Sequence, residues 1–308
     1  MINSMDYKAN ELCLICGSKG QKVLGLRGSQ EYLNAPKTQF HYVTNVVQCK
    51  ECSFIYCNPI IIRAEELEKS HYNNSDTYKD SDNKFPGKPY LHGLKAISKF
   101  NRKGNLLDVG AGKGEFLDLA KSNGFAVRGI EPSPQFCKYA LESSRTSIFC
   151  GTVLEYKKAT SSAGEQDFIT LFHVLEHVKD PKELLLELRP LFSSSGICYI
   201  EVPNADATLL KFADFIFKLA GKNWSSRLSP THPPFHSIGY TKNSIKKLID
   251  DSEYEIIEVW TFTGKNRGHQ VRNRFGVFKR FIRSTIVQTL GIFPNRELIG
   301  VLARPKSD

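Results

Sequence analysis

The stretch FHVLEHV, residues 172–178, closes an apolar run and places His173, Glu176 and His177 within five positions. Two imidazoles and a carboxylate at this spacing suit three chemistries. They fit an acid–base group near neutral pH, a metal site, or a packed turn whose acid answers the N–H groups of a following helix. A second constellation is more specific. Cys13 and Cys16 form one C-x-x-C pair, Cys49 and Cys52 another, and two residues between thiolates let both sulfurs meet one tetrahedral Zn2+. Four thiolates leave no open coordination position, so such an ion is structural. Gly17, directly after the first pair, offers the positive φ that turns backbone N–H groups toward the sulfurs. The 32 residues between the pairs fit a long β-hairpin, and HYVTNVVQC and CSFIYC have the composition of strands. Cys57, Cys137, Cys150 and Cys198 show no such pairing. They are expected to pack as small apolar groups in a chain whose compartment keeps thiols reduced.

The elements that position these groups alternate from residue 105 onward. NLLDVG, FAVRGIE, SIFC, DFITLF and GICYIEVP are strand-like; GEFLDLAKSNG, PQFCKYALESS and PKELLLELRPLF are helical, and Gly124 closes the first of these. This order predicts a mostly parallel sheet covered on both faces, with ligands beyond the carboxyl ends of its strands. Gly110, Gly112 and Gly114 sit at the first such end, where missing side chains let a ligand approach backbone and helix N–H groups. Asp108, just before them, suits a ligand ammonium. Glu131, 21 residues past Gly110 at the end of the second strand, can accept both hydroxyls of a ribose. The G-x-G-x-G spacing differs from the dinucleotide fingerprint.

Taken in order, LLDVGAGKGEFL, GIEPSP, HVLEHVKDP and GICYIEVPN resemble the motif series of class I S-adenosylmethionine-dependent methyltransferases. The resemblance covers about residues 105–262 and implies an α/β, Rossmann-like sheet with an antiparallel last strand. By the family pattern Gly110, Gly112 and Gly114 face the methionine portion of S-adenosyl-L-methionine and Glu131 holds its ribose. Thr152 and Val153, in CGTVLEY, meet the adenine, and His173 stands near the reactive methyl. A four-cysteine module ahead of this domain is similar to the zinc-ribbon methyltransferases of bacterial sugar and polysaccharide biosynthesis. Those carry a Pro-Pro-x-His stretch before a late helix, matched here by Pro233, Pro234, His236 and a helix capped by Thr241. The Tyr-x-Glu-His motif of the sugar C-methylating relatives is absent, which favours O-methylation. His236 is then the expected base, with His173 and His177 as runners-up; His232 has a less clear place. Some O-methyltransferases bind Mg2+ through Glu-x-x-Glu-His. The His-x-x-Glu-His here exchanges a carboxylate for an imidazole, which suits a hard ion poorly.

The expected organisation is a zinc-ribbon module over residues 1–62 and a linker with lid helices over 63–104. The methyltransferase domain follows over 105–308, with an acceptor lid at 204–240 and a basic amphipathic insertion at 265–296. Tyr72, Tyr78 and Tyr90 are candidates to close the other side of the acceptor site. Among 308 residues the net charge is +10, and +8 of it falls from Lys265 to Asp308. A basic tail calls for an anionic partner: a phosphorylated or lipid-linked glycan acceptor, a membrane surface touched through 267–283, or nucleic acid. Equally, Phe275, Phe278, Phe281 and Ile282 opposite Arg274, Lys279, Arg280 and Arg283 describe an ordinary helix packed on its own domain. FADFIFKLA, 212–220, is broken by Asp214 and Lys218, and the N-terminus lacks an apolar signal core, so the expected location is cytoplasmic, at most peripheral at the inner membrane face. The alternatives are an rRNA or tRNA methyltransferase and a non-catalytic zinc-ribbon scaffold. No Pro-Pro-aromatic stretch follows the fourth strand and no Pro-Cys dipeptide occurs, so the chain lacks the marks of base-methylating enzymes.

Overall fold

A computed structural model describes residues 7–28, 43–61, 90–143, 146–160, 164–230, 235–264 and 295–307. Residues 265–294 of the expected basic insertion, residues 63–89 of the expected linker and lid with Tyr72 and Tyr78, and residues 231–234 with His232, Pro233 and Pro234 lie outside them.

The first elements are β1 (Tyr7–Lys8), β2 (Gln21–Gly28), β3 (Val43–Cys49), β4 (Ile55–Asn58), β5 (Ile60–Ile61) and helix α1 (Leu91–Ser98). There follow β6 (Asn105–Val109), α2 (Glu115–Ser122), β7 (Ala126–Glu131), α3 (Pro134–Ser143), β8 (Ile148–Cys150), α4 (Val153–Ala159), β9 (Gln166–Phe172), α5 (Pro181–Leu188) and β10 (Phe192–Pro203). The chain ends with α6 (Thr208–Leu219), β11 (Ile238–Gly239), α7 (Lys242–Asp251), β12 (Tyr254–Phe262) and β13 (Leu298–Pro305).

The main sheet runs β12-β13-β10-β9-β6-β7-β8, parallel from β8 to β10, with β13 inserted antiparallel between β10 and β12. After β8 the chain crosses back to the far side of β6, so the switch point lies between β6 and β9, where ligands of such sheets bind. The central strands are apolar runs because both faces are covered. Leu106, Phe168 and Tyr199 join one core with Phe116 and Leu117 of α2, while Leu107, Ile169 and Ile200 join the other. Helix starts and stops follow local chemistry. Thr152 and Thr241 cap α4 and α7 in capping boxes, Asp180 caps α5 ahead of Pro181, and Gly124, at φ 87°, ends α2.

The cysteine-bearing hairpin is part of a four-stranded sheet of order β11-β4-β3-β2. β11 comes from the expected acceptor lid, so this insertion is tied to the hairpin by strand pairing: Ile238 faces Tyr56, and Cys57 N donates to Ser237 O at 2.8 Å. Leu26 pairs with Trp224, and a side chain on Gly25 would meet the Trp224 backbone carbon at 2.8 Å. Phe54 and Tyr240 pack at 5.4 Å between ring centres, and one buried core runs from Cys49 through Tyr56 to Ile245. One expectation is corrected. Cys137 and Cys150 are joined as a disulfide between α3 and the end of β8, whereas Cys57 and Cys198 are buried thiols. The β7–α3–β8 crossover brings two positions 13 residues apart to a Cα separation of 5.9 Å, a proximity their spacing in the chain does not reveal.

Candidate functional site

The glycine turn leaves β6 with Gly110, Gly112 and Gly114 at φ 72°, 54° and 80°, left-handed values that L side chains rarely adopt. Gly110 N and Ala111 N both donate to Ile130 O, at 2.8 and 3.0 Å, which ties the turn to β7. At Gly110 a β-carbon would stand 2.6 Å from Val174 Cγ2, so the turn touches the histidine segment; at Gly112 it would meet nothing within 4 Å. The open space of the site lies beside Gly112.

Glu131 faces that turn. Its Oε2 accepts from Gly112 N and its Oε1 from Ser133 N, both at 2.8 Å, and the residue is 5% exposed. Burial raises its pKa and the two backbone donors offset part of the rise. Asp108 lies in the sheet beneath the turn, buried, with Oδ1 accepting from Thr170 Oγ1 at 2.6 Å. Burial, only partly offset by that bond and reinforced by the charge of Glu131, pushes it up to about 7. Past β8, Thr152 spends its hydroxyl on the helix cap while Val153 packs its side chain in the core, so this segment offers the cleft its backbone.

The histidine cluster forms at the ends of β9 and β10. His173 takes φ 55°, unusual outside glycine, and its backbone N–H donates to Glu201 O at 2.8 Å. This bend sets the imidazole between two carboxylates, with Nδ1 3.1 Å from Glu176 Oε1 and Nε2 3.4 Å from Glu201 Oε1. Both acids are buried, and Tyr199 OH donates to Glu201 Oε2 at 2.7 Å. Burial opposes charge on His173, yet the two carboxylates outweigh it and raise its pKa to about 9. Glu176 is therefore no helix-start acid. Asp180 performs that task for α5, and Glu176 anchors the cluster, its own pKa held down by His173 against burial. His236, brought in from the 204–240 insertion, has Nε2 4.0 Å from Glu176 Oε1, and its ring centre lies 4.9 Å from that of His177. Glu176, His177 and His236 offer donor atoms within 4.8 Å of one another; His173 is not of this set. A cavity of about 210 Å³ adjoins His236, lined also by Asn204, Leu209, Leu210, Arg227 and Leu228. A larger one of about 500 Å³, around Arg128, Ser147 and Glu165, lies at the amino ends of β8 and β9, away from this chemistry. Tyr90 packs its ring against Phe116 and Phe172.

The four cysteines meet as their spacing predicts. Cys13 Sγ is 3.5 Å from Cys52 Sγ, Cys16 Sγ is 3.5 Å from Cys49 Sγ, and all four sulfurs lie within 4.8 Å of one another. Tetrahedral Zn–S bonds of ~2.3 Å put sulfurs roughly 3.8 Å apart, so the donor set fits that ion. Both turns repeat one design: Gly17 and Ser53, each next after a second cysteine, are left-handed at φ 71° and 64°.

The glycines, Glu131 and the histidines lie at strand ends, where the sequence predicts them; Glu201, Thr170 and the anchoring part of Glu176 are not among the expected site residues. Glu201 carried a signal, a lone charge in the apolar strand GICYIEVP.

A glycine turn and a buried acid at the switch point of such a sheet are the arrangement that nucleoside-binding α/β proteins use. Residues 84–259 match the family model described as a methyltransferase domain, and the chain belongs to this family, with the class I S-adenosylmethionine-dependent fold. A ubiquinone biosynthesis O-methyltransferase of Vibrio campbellii is 26% identical over 163 residues, 52% of this chain and 66% of that protein. One from Bordetella avium is 29% identical over 141 residues, 43% and 55% of the two. The chain thus spans about half to two thirds of the length of these curated relatives. Among solved structures, a SAM dependent methyltransferase from Archaeoglobus fulgidus is 19% identical, covering 74% of this chain and 99% of that one at a TM-score of 0.50. Phosphoethanolamine N-methyltransferase 2 of Haemonchus contortus, solved with S-adenosyl-L-methionine, is 16% identical over 82% and 63% of the two chains at a TM-score of 0.52. At these identities the likeness is one of fold.

Proposed function

We propose that this protein is an S-adenosylmethionine-dependent methyltransferase that methylates an acceptor hydroxyl. The observation that carries it is the meeting of His177, His236 and Glu176 beside a glycine turn whose Gly112 opens on empty space. Gly110, Gly112 and Gly114 are the stretch against which the cofactor's methionine portion would lie. Glu131 would take the ribose, for each of its oxygens retains a lone pair after one backbone bond. The backbone at Thr152 and Val153 would meet the adenine. When bound, the cofactor supplies an electrophilic methyl on its sulfonium.

A hydroxyl becomes an adequate nucleophile as it loses its proton, so the chain must offer a base. His173 is ill suited, because a pKa near 9 leaves it protonated at neutral pH. Its part is to hold Glu176 and Glu201 in place as their cation. His236, with His177 beside it, is the base in this reading, and the Glu176 carboxylate stabilises the imidazolium formed. Asp108 lies under the turn as an acid near its titration point.

The cysteine cluster would hold a structural Zn2+, since four thiolates at this separation suit that ion and close its coordination. The acceptor class we favour is a sugar hydroxyl, on a nucleotide sugar or a lipid-linked or polysaccharide glycan, because the zinc ribbon and Pro-Pro-x-His stretch resemble methyltransferases of that kind. A hydroxyl of a ubiquinone precursor is the second reading, favoured by the likeness to the ubiquinone biosynthesis O-methyltransferases of Vibrio campbellii and Bordetella avium.

The test is label transfer from methyl-labelled cofactor to nucleotide sugars, lipid-linked oligosaccharides, catechols and tRNA, with calorimetry of cofactor binding alongside. The expected result is cofactor binding and transfer to a hydroxyl acceptor. His236→Gln should cut turnover on that acceptor by about 100-fold while cofactor affinity stays within about twofold. Near-normal turnover would remove His236 from the mechanism. Failure to bind the cofactor would leave the scaffold reading, and labelled RNA would support the nucleic-acid one.

A further inference from the structure

Helix α6 presents two unlike faces. Inside, the buried Asp214 carboxylate accepts from Ser226 N at 2.7 Å, Ser226 Oγ at 2.9 Å, Ser225 Oγ at 3.4 Å and Arg227 Nε at 2.8 Å. Four donors on one carboxylate fix how the helix is rolled about its axis. Outside, Phe212, Phe215, Ile216 and Leu219 are 46%, 54%, 45% and 69% exposed. Their i, i+3, i+4, i+7 spacing gathers them into one stripe. Lys211 and Lys218, with Lys222 just beyond the helix, are exposed along one flank of it. Scattered exposed apolar residues need no explanation, but a continuous stripe on consecutive turns, held outward by a buried ionic anchor, does.

We infer that this face docks on an anionic lipid surface. The four apolar side chains are long enough to enter the acyl boundary, and the lysine flank lies where anionic headgroups would meet it. A second copy of the chain fits less well, since antiparallel two-fold pairing of the stripes would set lysine flank against lysine flank. In the chain this stretch, 211–222, is distinct from the basic stretch 265–296. Leu209 and Leu210, on the same helix, line the cavity that reaches His236. A docked α6 therefore holds that cavity within about one helix diameter, roughly 10 Å, of the bilayer.

Co-sedimentation of the full chain with vesicles tests this, using phosphatidylcholine alone or mixed with phosphatidylglycerol. The chain should pellet with the mixed vesicles, release in high salt, and stay in solution with the neutral ones. Phe215→Ser with Leu219→Ser should lower partition at least about tenfold, and Lys218→Glu with Lys222→Glu should abolish the preference for phosphatidylglycerol. All four positions are exposed, so unchanged thermal melts would confirm that the variants fold. The inference is overturned if the parent ignores mixed vesicles or if the apolar variant binds them as the parent does. A dimer in solution that the apolar variant dissolves would overturn it too, by giving the stripe to a second copy.

Discussion

At the scale of single residues, His173 shows how geometry sets charge. Its folded pKa of about 9 stands above the ordinary 6.5, so the proton it holds stabilises the fold. That contribution is complete below the unfolded pKa near 6.5 and is lost as pH rises through about 9. With 34% of the side chain accessible, solvent screening reduces it to about 1–2 kcal/mol. His173→Gln should therefore be less stable than the parent in urea at pH 6, and the gap should narrow by that amount by pH 10. A gap independent of pH would mean the imidazole carries no proton. The sequence offered the residue types but not this role, because a left-handed His at a strand end follows from the bend toward Glu201, 28 positions away.

At the scale of elements, α6 is held by one buried carboxylate, Asp214. Asp214 and the Arg227 guanidinium are both nearly buried, with side chains 7% and 9% exposed. Removing the Asp214 charge leaves Arg227 with Asp206, 3.1 Å from its Nη1, as the remaining carboxylate, so Asp214→Asn should cost about 1–3 kcal/mol, less than full truncation because the amide oxygen still accepts. Amide exchange should show the loss first over 208–219, and uniform loss across the sheet would contradict a local anchor. Asp214 reads in the sequence only as an interruption of an apolar run, and its true partners, Ser225 to Arg227, lie on the next segment. The five parallel strands of the main sheet were legible because each is a short, mostly apolar run set between helical segments. β11 was not: two residues, Ile238 and Gly239, carry no periodicity, and only their partners in β4 make them a strand. The Cys137–Cys150 link was hidden likewise, by a crossover that spacing does not encode.

For the whole molecule, the question is whether the cysteine hairpin is an appendage or part of one body. Four contacts argue for one body: the β11–β4 pairing, the Leu26–Trp224 bridge, the Phe54–Tyr240 contact and a buried core shared from Cys49 to Ile245. His236 stands two residues before β11, so the strand that closes the cysteine-bearing sheet also positions the proposed base. If zinc joins the two C-x-x-C turns, its binding free energy is folding free energy for both halves. The purified chain should then carry about one zinc, and a strong chelator should lower its melting temperature by ten degrees or so in a single transition. Turnover should fall before cofactor binding does, since the metal supports the segment bearing His236 and lies apart from the glycine turn. Two separate transitions would make the hairpin an independent module, and an unchanged melt would mean that the four sulfurs hold no ion.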